Sequence, residues 1–202
     1  MKTIVLTGAA ASGKTKIINM LLSDLLHNGY DALMLSETAT EMMRGGFPAR
    51  RRVVLFQKTL FDLQYARENA YMEYLESVSD DSVCLLDRSL ADGSIYTARS
   101  DYVRFASRYG LTLESILDRY DAVIQLQPSV LVCEYDRESN NNVRLETSGA
   151  ECLTQDEALR GLYSAHRNYF YVAAEINFDD KYKNVLKIVE GILGNRTGKK
   201  AG

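Results

Sequence analysis

Residues 8 to 15 read Gly8-Ala9-Ala10-Ala11-Ser12-Gly13-Lys14-Thr15, which is G-x-x-x-x-G-K-[ST] throughout. The pattern asks for these residue types for physical reasons. Glycines let the backbone wrap tightly, so that the N–H groups of a short loop converge on a phosphate. Lys14 reaches the terminal phosphates, and the Thr15 hydroxyl is a ligand for Mg²⁺. A helix opening at Lys14 adds the positive end of its dipole. The implied chemistry is binding of ATP or GTP with Mg²⁺.

A second set of residues could act on what such a loop binds. Val83-Cys84-Leu85-Leu86 reads as a buried strand and ends in Asp87-Arg88-Ser89. A carboxylate at the carboxyl end of such a strand is where a metal partner of the phosphate loop sits. Asp87 is therefore a candidate metal residue beside Thr15, directly or through water. Arg88 would balance charge on a transferring phosphoryl group. The plainer alternative is a strand-end salt bridge with Ser89 as a helix cap. Glu37 follows the second apolar run and should face the same crevice. There it could take the proton of an attacking hydroxyl, or simply favour the dipole of a helix starting near Thr38. Glu41 is a rival for the same role. Arg44 with Gly45-Gly46 and Arg50-Arg51-Arg52 forms a basic turn that either closes over an anionic substrate or is solvated. Gln57 and Gln64 are seven apart on one helix and share a face. A glutamine amide offers donor and acceptor together to a base or amide edge. Arg137 and Arg144 flank Asn140-Asn141-Asn142 and are expected in a lid over the nucleotide, which would exclude water.

These residues need a scaffold, and the hydrophobic pattern supplies one. Short apolar runs at Thr3–Thr7, Asp31–Ser36, Ser82–Leu86, Ala122–Leu126 and Tyr169–Ala173 read as strands. Helical periodicity covers Lys14–Asn28, about Arg51–Ser77, two pieces within Ala91–Leu117, Ser129–Tyr135, Thr154–Ala165 and Phe178–Leu193. Strands alternating with helices predict an α/β fold of the P-loop NTPase kind, with a five-stranded parallel sheet, helices on both faces and a small lid. The expected organisation is a single nucleotide-binding domain over 1–194, a lid near 137–149 and a frayed tail over 195–202. The tyrosine-rich helix from Leu60 to Leu75 could pack in the core or in a homodimer.

Composition excludes other classes. The chain has 202 residues, 24 Lys and Arg against 27 Asp and Glu, so no basic excess points to nucleic acid. Three cysteines without CxxC spacing and two histidines argue against a disulfide scaffold and a structural zinc site. Cys84 is expected to be buried and inert, and His166 to cap or pack. No apolar run reaches the ~18 residues of a membrane span, and a cytoplasmic location is the expectation. The switch-GTPase strings Asp-x-x-Gly and Asn-Lys-x-Asp do not occur.

The order of these motifs resembles the NadR-like, AAA-type P-loop family. The residues that carry the likeness are Gly8–Thr15, Ser36-Glu37-Thr38-Ala39, Gly45-Gly46-Phe47, Gln57, Leu86-Asp87-Arg88-Ser89 with Asp92, Tyr120-Asp121, Val143-Arg144-Leu145-Glu146 and His166. Nicotinamide riboside kinases stand near this group, as does a trafficking protein whose similar domain precedes a CYTH-type domain. Asp87-Arg88-Ser89 also looks like the Glu-Arg-Ser motif of deoxynucleoside kinases, with Asp in place of Glu. The resemblance implies that Asp87 and Arg88 serve Mg²⁺ and phosphoryl transfer, that Glu37 is the base, and that Gln57 reads a base. Asp92 then joins Glu37, Arg44, Gln57 and Gln64 as an acceptor-side candidate. Lys14, Arg88 and Arg144 are the expected catalytic cations, and Arg137 a nucleotide contact. The expected function is transfer of a γ-phosphoryl from ATP or GTP to a small, nucleoside-like hydroxyl acceptor. The rival readings are a nucleotide-binding module that regulates a protein or lipid partner, and an ATPase that drives a conformational change.

Overall fold

The computed structural model describes residues 1–131 and 148–194. Its sheet contains β1 (Lys2–Thr7), β2 (Ala32–Leu35), β3 (Val83–Asp87), β4 (Ala122–Leu126) and β5 (Tyr169–Val172). All pairings are parallel, in the order β2-β3-β1-β4-β5. This is the five-stranded α/β arrangement the pattern predicts.

Successive side chains of a strand point to opposite faces, and both faces are covered. Ile4, Leu6, Val83, Leu85, Ile124 and Leu126 pack under α1 (Lys14–His27) and α7 (Phe178–Leu193). Val5, Cys84, Leu86 and Val123 pack on the other side. There the cover is α3 (Val53–Val78), α4 (Arg99–Ser107), α5 (Leu113–Leu117) and α6 (Gly149–Tyr163). The remaining helix, α2 (Thr38–Arg44), follows β2. Burial on both faces explains why the middles of β1 and β3 are apolar, at Ile4-Val5-Leu6 and Cys84-Leu85-Leu86.

Some boundaries differ from the expectation. Helix α6 starts five residues before Thr154, because Ser148 caps it by accepting from Glu151 N at 3.3 Å. The stretch Ala91–Leu117 holds three helical pieces, since Ser89 and Asp92 form a capping box that tightens Leu90–Ile95 into a 3-10 helix before α4 and α5. The helix expected at Ser129–Tyr135 is a short 3-10 turn over Ser129–Leu131, and its remainder lies outside the described residues. On α3, Phe61 lies edge-on to Tyr102 at 5.6 Å, and Tyr65 sits 4.5 Å from Tyr109. Those rings are core material, whereas Tyr74 is exposed. His166 packs as expected, through Tyr120 O at 3.0 Å and Asn168 N at 3.2 Å. Among the described residues, no helix is long and apolar enough to cross a membrane.

Candidate active site

β1 and β3 are neighbours in register, with Leu6 beside Asp87. The chain leaves β1 for one face of the sheet and β3 for the other. Such a switch point opens a crevice at the carboxyl ends of the strands, where ligands bind in open α/β sheets. The loop lines this crevice from Ala10 to Thr15, together with Asp87-Arg88-Ser89.

Gly8 has φ +145°, and a Cβ there would lie 2.4 Å from Leu126 O. The close approach of β4 therefore requires glycine at this position. Gly13, at φ +81°, sits against the Phe178 ring, so α7 braces the loop where α1 begins. Lys14 is buried, and its ammonium donates to Gly8 O at 2.7 Å, Ala9 O at 3.0 Å and Ser12 Oγ at 3.2 Å. Burial and then Arg88 pull its pKa down to about 8, against Asp87, Glu37 and Asp92. Thr15 is exposed and lines the crevice.

Asp87 is 5% exposed, and its Oδ1 is buried with no hydrogen-bond partner. Burial pushes its carboxyl up to about 6, with Lys14 opposing and Glu37 reinforcing. A buried carboxylate oxygen without a partner is costly unless a cation takes it. Thr15 and Asp87 therefore fit as the residues that would hold Mg²⁺, an oxygen-preferring cation that is bound through few protein ligands. Among the described residues, no group of three or more His, Cys, Asp and Glu is arranged to hold a metal by itself.

Arg88 carries φ +69°, a left-handed conformation that costs a non-glycine residue about 1–3 kcal/mol. The strain aims its guanidinium across the crevice. Nε donates to Glu37 Oε1 at 2.5 Å, and Nη1 to Tyr96 Oη at 3.3 Å. Burial disfavours its charge, but Tyr96, Glu37, Asp92 and Asp87 surround it and raise its pKa further. Glu37 precedes α2, and its Oε2 accepts from Thr40 Oγ1 at 2.7 Å. Burial works against its ionised form, yet Arg88, Lys14 and Thr40 outweigh that and lower its pKa.

The expected acceptor-side residues divide into two kinds. Gln57 is buried in the cavity wall and makes no hydrogen bond to another described residue, and Arg44 is exposed at its rim. Gln64 and Asp92 also line the cavity, but their polar atoms are already engaged. Gln64 Oε1 accepts from Thr38 Oγ1 at 2.5 Å, while Nε2 donates to Glu68 Oε1 at 2.9 Å and Arg88 O at 3.5 Å. Asp92 accepts from Thr7 Oγ1 at 2.6 Å and Ser89 N at 2.5 Å, and burial raises its pKa. Glu41 turns to Arg67 at 2.8 Å. Arg137 and Arg144 lie outside the described residues.

The whole cavity encloses about 720 Å³. Besides the loop and Arg88, its lining includes Phe56, Gln57, Leu60, Phe61, Tyr96 and Tyr102. Most of that lining was missed in the sequence. Phe56, Leu60 and Gln64 recur at helical spacing with Gln57 and Phe61, a signal for the face of α3 but not for its partner. Tyr96 carries no sequence signal.

The family model of the AAA domain matches residues 3–181. The chain belongs to the AAA domain family. Its fold is that of a P-loop NTPase. No curated protein sequence matches this AAA domain. Among solved structures, the NadR protein in complex with NR is similar, at TM-score 0.69 and 16% identity. That likeness covers 100% of this chain and 54% of the NadR chain, so the chain spans about half of its relative's length. At this identity the likeness speaks for the fold.

Proposed function

We propose that the protein is a Mg²⁺-dependent kinase that moves the γ-phosphoryl group of ATP or GTP to a hydroxyl of a small, nucleoside-like acceptor. One observation carries this reading: the cavity does not stop at the phosphate loop. Its lining also takes in the apolar side chains Phe56, Leu60 and Phe61 of α3 and a buried amide, Gln57, that makes no hydrogen bond to another described residue. A hydrolase needs only a water there, whereas a lining of this kind suits a flat organic acceptor. The NadR protein of similar fold was solved in complex with NR, which supports a small-molecule acceptor.

In this reading the loop N–H groups and Lys14 hold the β- and γ-phosphates. Thr15 and Asp87 would hold Mg²⁺, which neutralises charge on the phosphate oxygens. The acceptor oxygen attacks the γ-phosphorus as the bond to the β–γ bridging oxygen breaks, leaving the nucleoside diphosphate. Glu37 is ionised and takes the hydroxyl proton, while Arg88 stabilises the equatorial oxygens of the transferring group. Gln57 and the surrounding rings orient the acceptor.

The test is thermal unfolding with Mg²⁺ and ATP or GTP, then with a panel of nucleosides and related hydroxyl compounds. A nucleotide should raise the midpoint, and one acceptor class should raise it again. Diphosphate release should then depend on that acceptor. Tight nucleotide binding with no acceptor response would overturn the kinase reading in favour of a regulatory module.

A further inference from the structure

Lys181 stands outside the loop motif, 169 residues after Ser12, on the first turn of α7. It is only 2% exposed, and its ammonium is inserted behind the phosphate loop. Nζ donates to Ser12 O at 3.0 Å and to Gln127 O at 2.7 Å. Burying a charge this deeply is costly unless it is fully hydrogen-bonded, so a lysine here calls for an explanation.

Peptide planarity supplies one. In a trans peptide the C=O of one residue and the N–H of the next point in opposite directions, and no peptide bond among the described residues is cis. The ammonium of Lys181 holds Ser12 O outward, towards α7. The Gly13 N–H must then point the other way, into the phosphate cradle. The neighbouring peptide is held likewise, because Ser129 N donates to Ala11 O at 2.9 Å and so turns the Ser12 N–H inward. The two anchors differ in charge. A neutral amide fixes the first peptide, whereas a cation fixes the second. A cation on a carbonyl oxygen polarises the whole amide and makes its N–H a stronger donor. Lys14 is the second-largest influence on Lys181 after burial, and both lower its pKa to about 8.

We propose that Lys181 is a positioning residue for phosphate binding: its ammonium aims and polarises the Ser12–Gly13 peptide, so that Gly13 N–H donates to the nucleotide's phosphates. It touches no phosphate and acts only through that peptide. The inference rests on the reading of the loop as a nucleotide site.

Mg²⁺–tripolyphosphate is the probe, because it engages the loop without a base or an acceptor. Lys181→Met removes the ammonium and keeps the apolar stem. Its calorimetric Kd should rise about tenfold, while the KM of any acceptor at saturating nucleotide stays unchanged. Lys181→Gln restores a neutral donor and should recover only part of the loss. Lys14→Ala is measured in parallel. If Lys14→Ala loses binding and Lys181→Met stays within twofold of the parent, the role of Lys181 is overturned and the site stands. If neither variant loses binding, the nucleotide reading itself fails. Should both Lys181 variants fail to fold, ¹H–¹⁵N spectra of the parent protein decide. The Lys181 ammonium and Gly13 amide resonances should move together on adding the probe, and a fixed Lys181 resonance overturns the proposal.

Discussion

Around the phosphate loop the geometry is fixed largely at backbone atoms, which accept from Lys14, Lys181 and Ser129 N. Ser129 N fixes Ala11 O, Leu126 O crowds Gly8, and Lys181 reaches two carbonyls. Across the crevice, the wall that carries Glu37, Arg88 and Gln57 is held by side chains bonded to one another. Thr38 joins Gln64, Gln64 joins Glu68, and Arg67 joins Thr38 and Glu41. Backbone contacts tolerate most changes of residue type but fail abruptly where a Cβ does not fit. A relay of side chains can lose one member at a time, by graded amounts. The phosphate end should therefore answer substitution abruptly where its backbone contacts exclude a Cβ, and the acceptor end by degrees.

The largest effects are expected at the backbone-held end. Lys14→Ala should abolish turnover, by roughly 10³-fold or more. Gly8→Val should match it, because its Cβ would lie 2.4 Å from Leu126 O. Loss of the nucleotide-induced rise in unfolding midpoint is the measurement. A Gly8→Val protein that keeps this rise would break the contrast.

Arg88 and Glu37 come next. Arg88→Ala should lower kcat by about 10²-fold with nucleotide affinity retained. Glu37→Gln should lower transfer by about 10²-fold, again without loss of nucleotide affinity. Unchanged kinetics in Glu37→Gln would remove its role as base and leave it as the partner that holds Arg88. Smaller again is Gln57→Leu. It should raise the acceptor KM about tenfold and leave kcat within twofold. A change in nucleotide KM would mean that the two ends are not separable in this way.

The same contrast explains what could be read in advance. Gly8–Thr15 is contiguous, so eight neighbouring letters specify the loop, and apolar runs such as Ile4–Leu6 specify the strand beneath it. Asp87 and Glu37 are legible because strand ends in a parallel sheet share one edge. Gln64 and Asp92 show where a periodic face or a motif string stops being informative. The pattern points both towards the crevice, but their hydrogen bonds run to Thr38, Glu68, Thr7 and Ser89. Periodicity gives the direction of a side chain and not its partner. Tyr96 and Lys181 are beyond the pattern altogether, since each matters through a contact made by the tertiary fold.

Glu68 gives the smallest and most specific test of the side-chain-held wall. It is fully buried on α3 and accepts from Leu90 N at 2.9 Å and Tyr120 Oη at 3.0 Å, as well as from Gln64. The Arg119 guanidinium lies 3.6 Å away. Burial raises its pKa, and Gln64, Arg119, Tyr120 and Leu90 N offset that only in part. The folded protein therefore keeps this proton to a higher pH than the unfolded chain does. The resulting stability is fully present below the ordinary glutamate value and is lost as pH rises through the folded value. Glu68→Gln cannot titrate, so the parent's stability relative to it should fall as pH rises from about 4 towards neutrality. Urea midpoints of the two proteins across that range provide the measurement. A difference that stays constant with pH would show that Glu68 ionises in the fold as it does in the unfolded chain. The wall would then be held by a charged Glu68–Arg119 pair, with the neighbouring hydrogen bonds serving that ion pair rather than a protonated carboxyl.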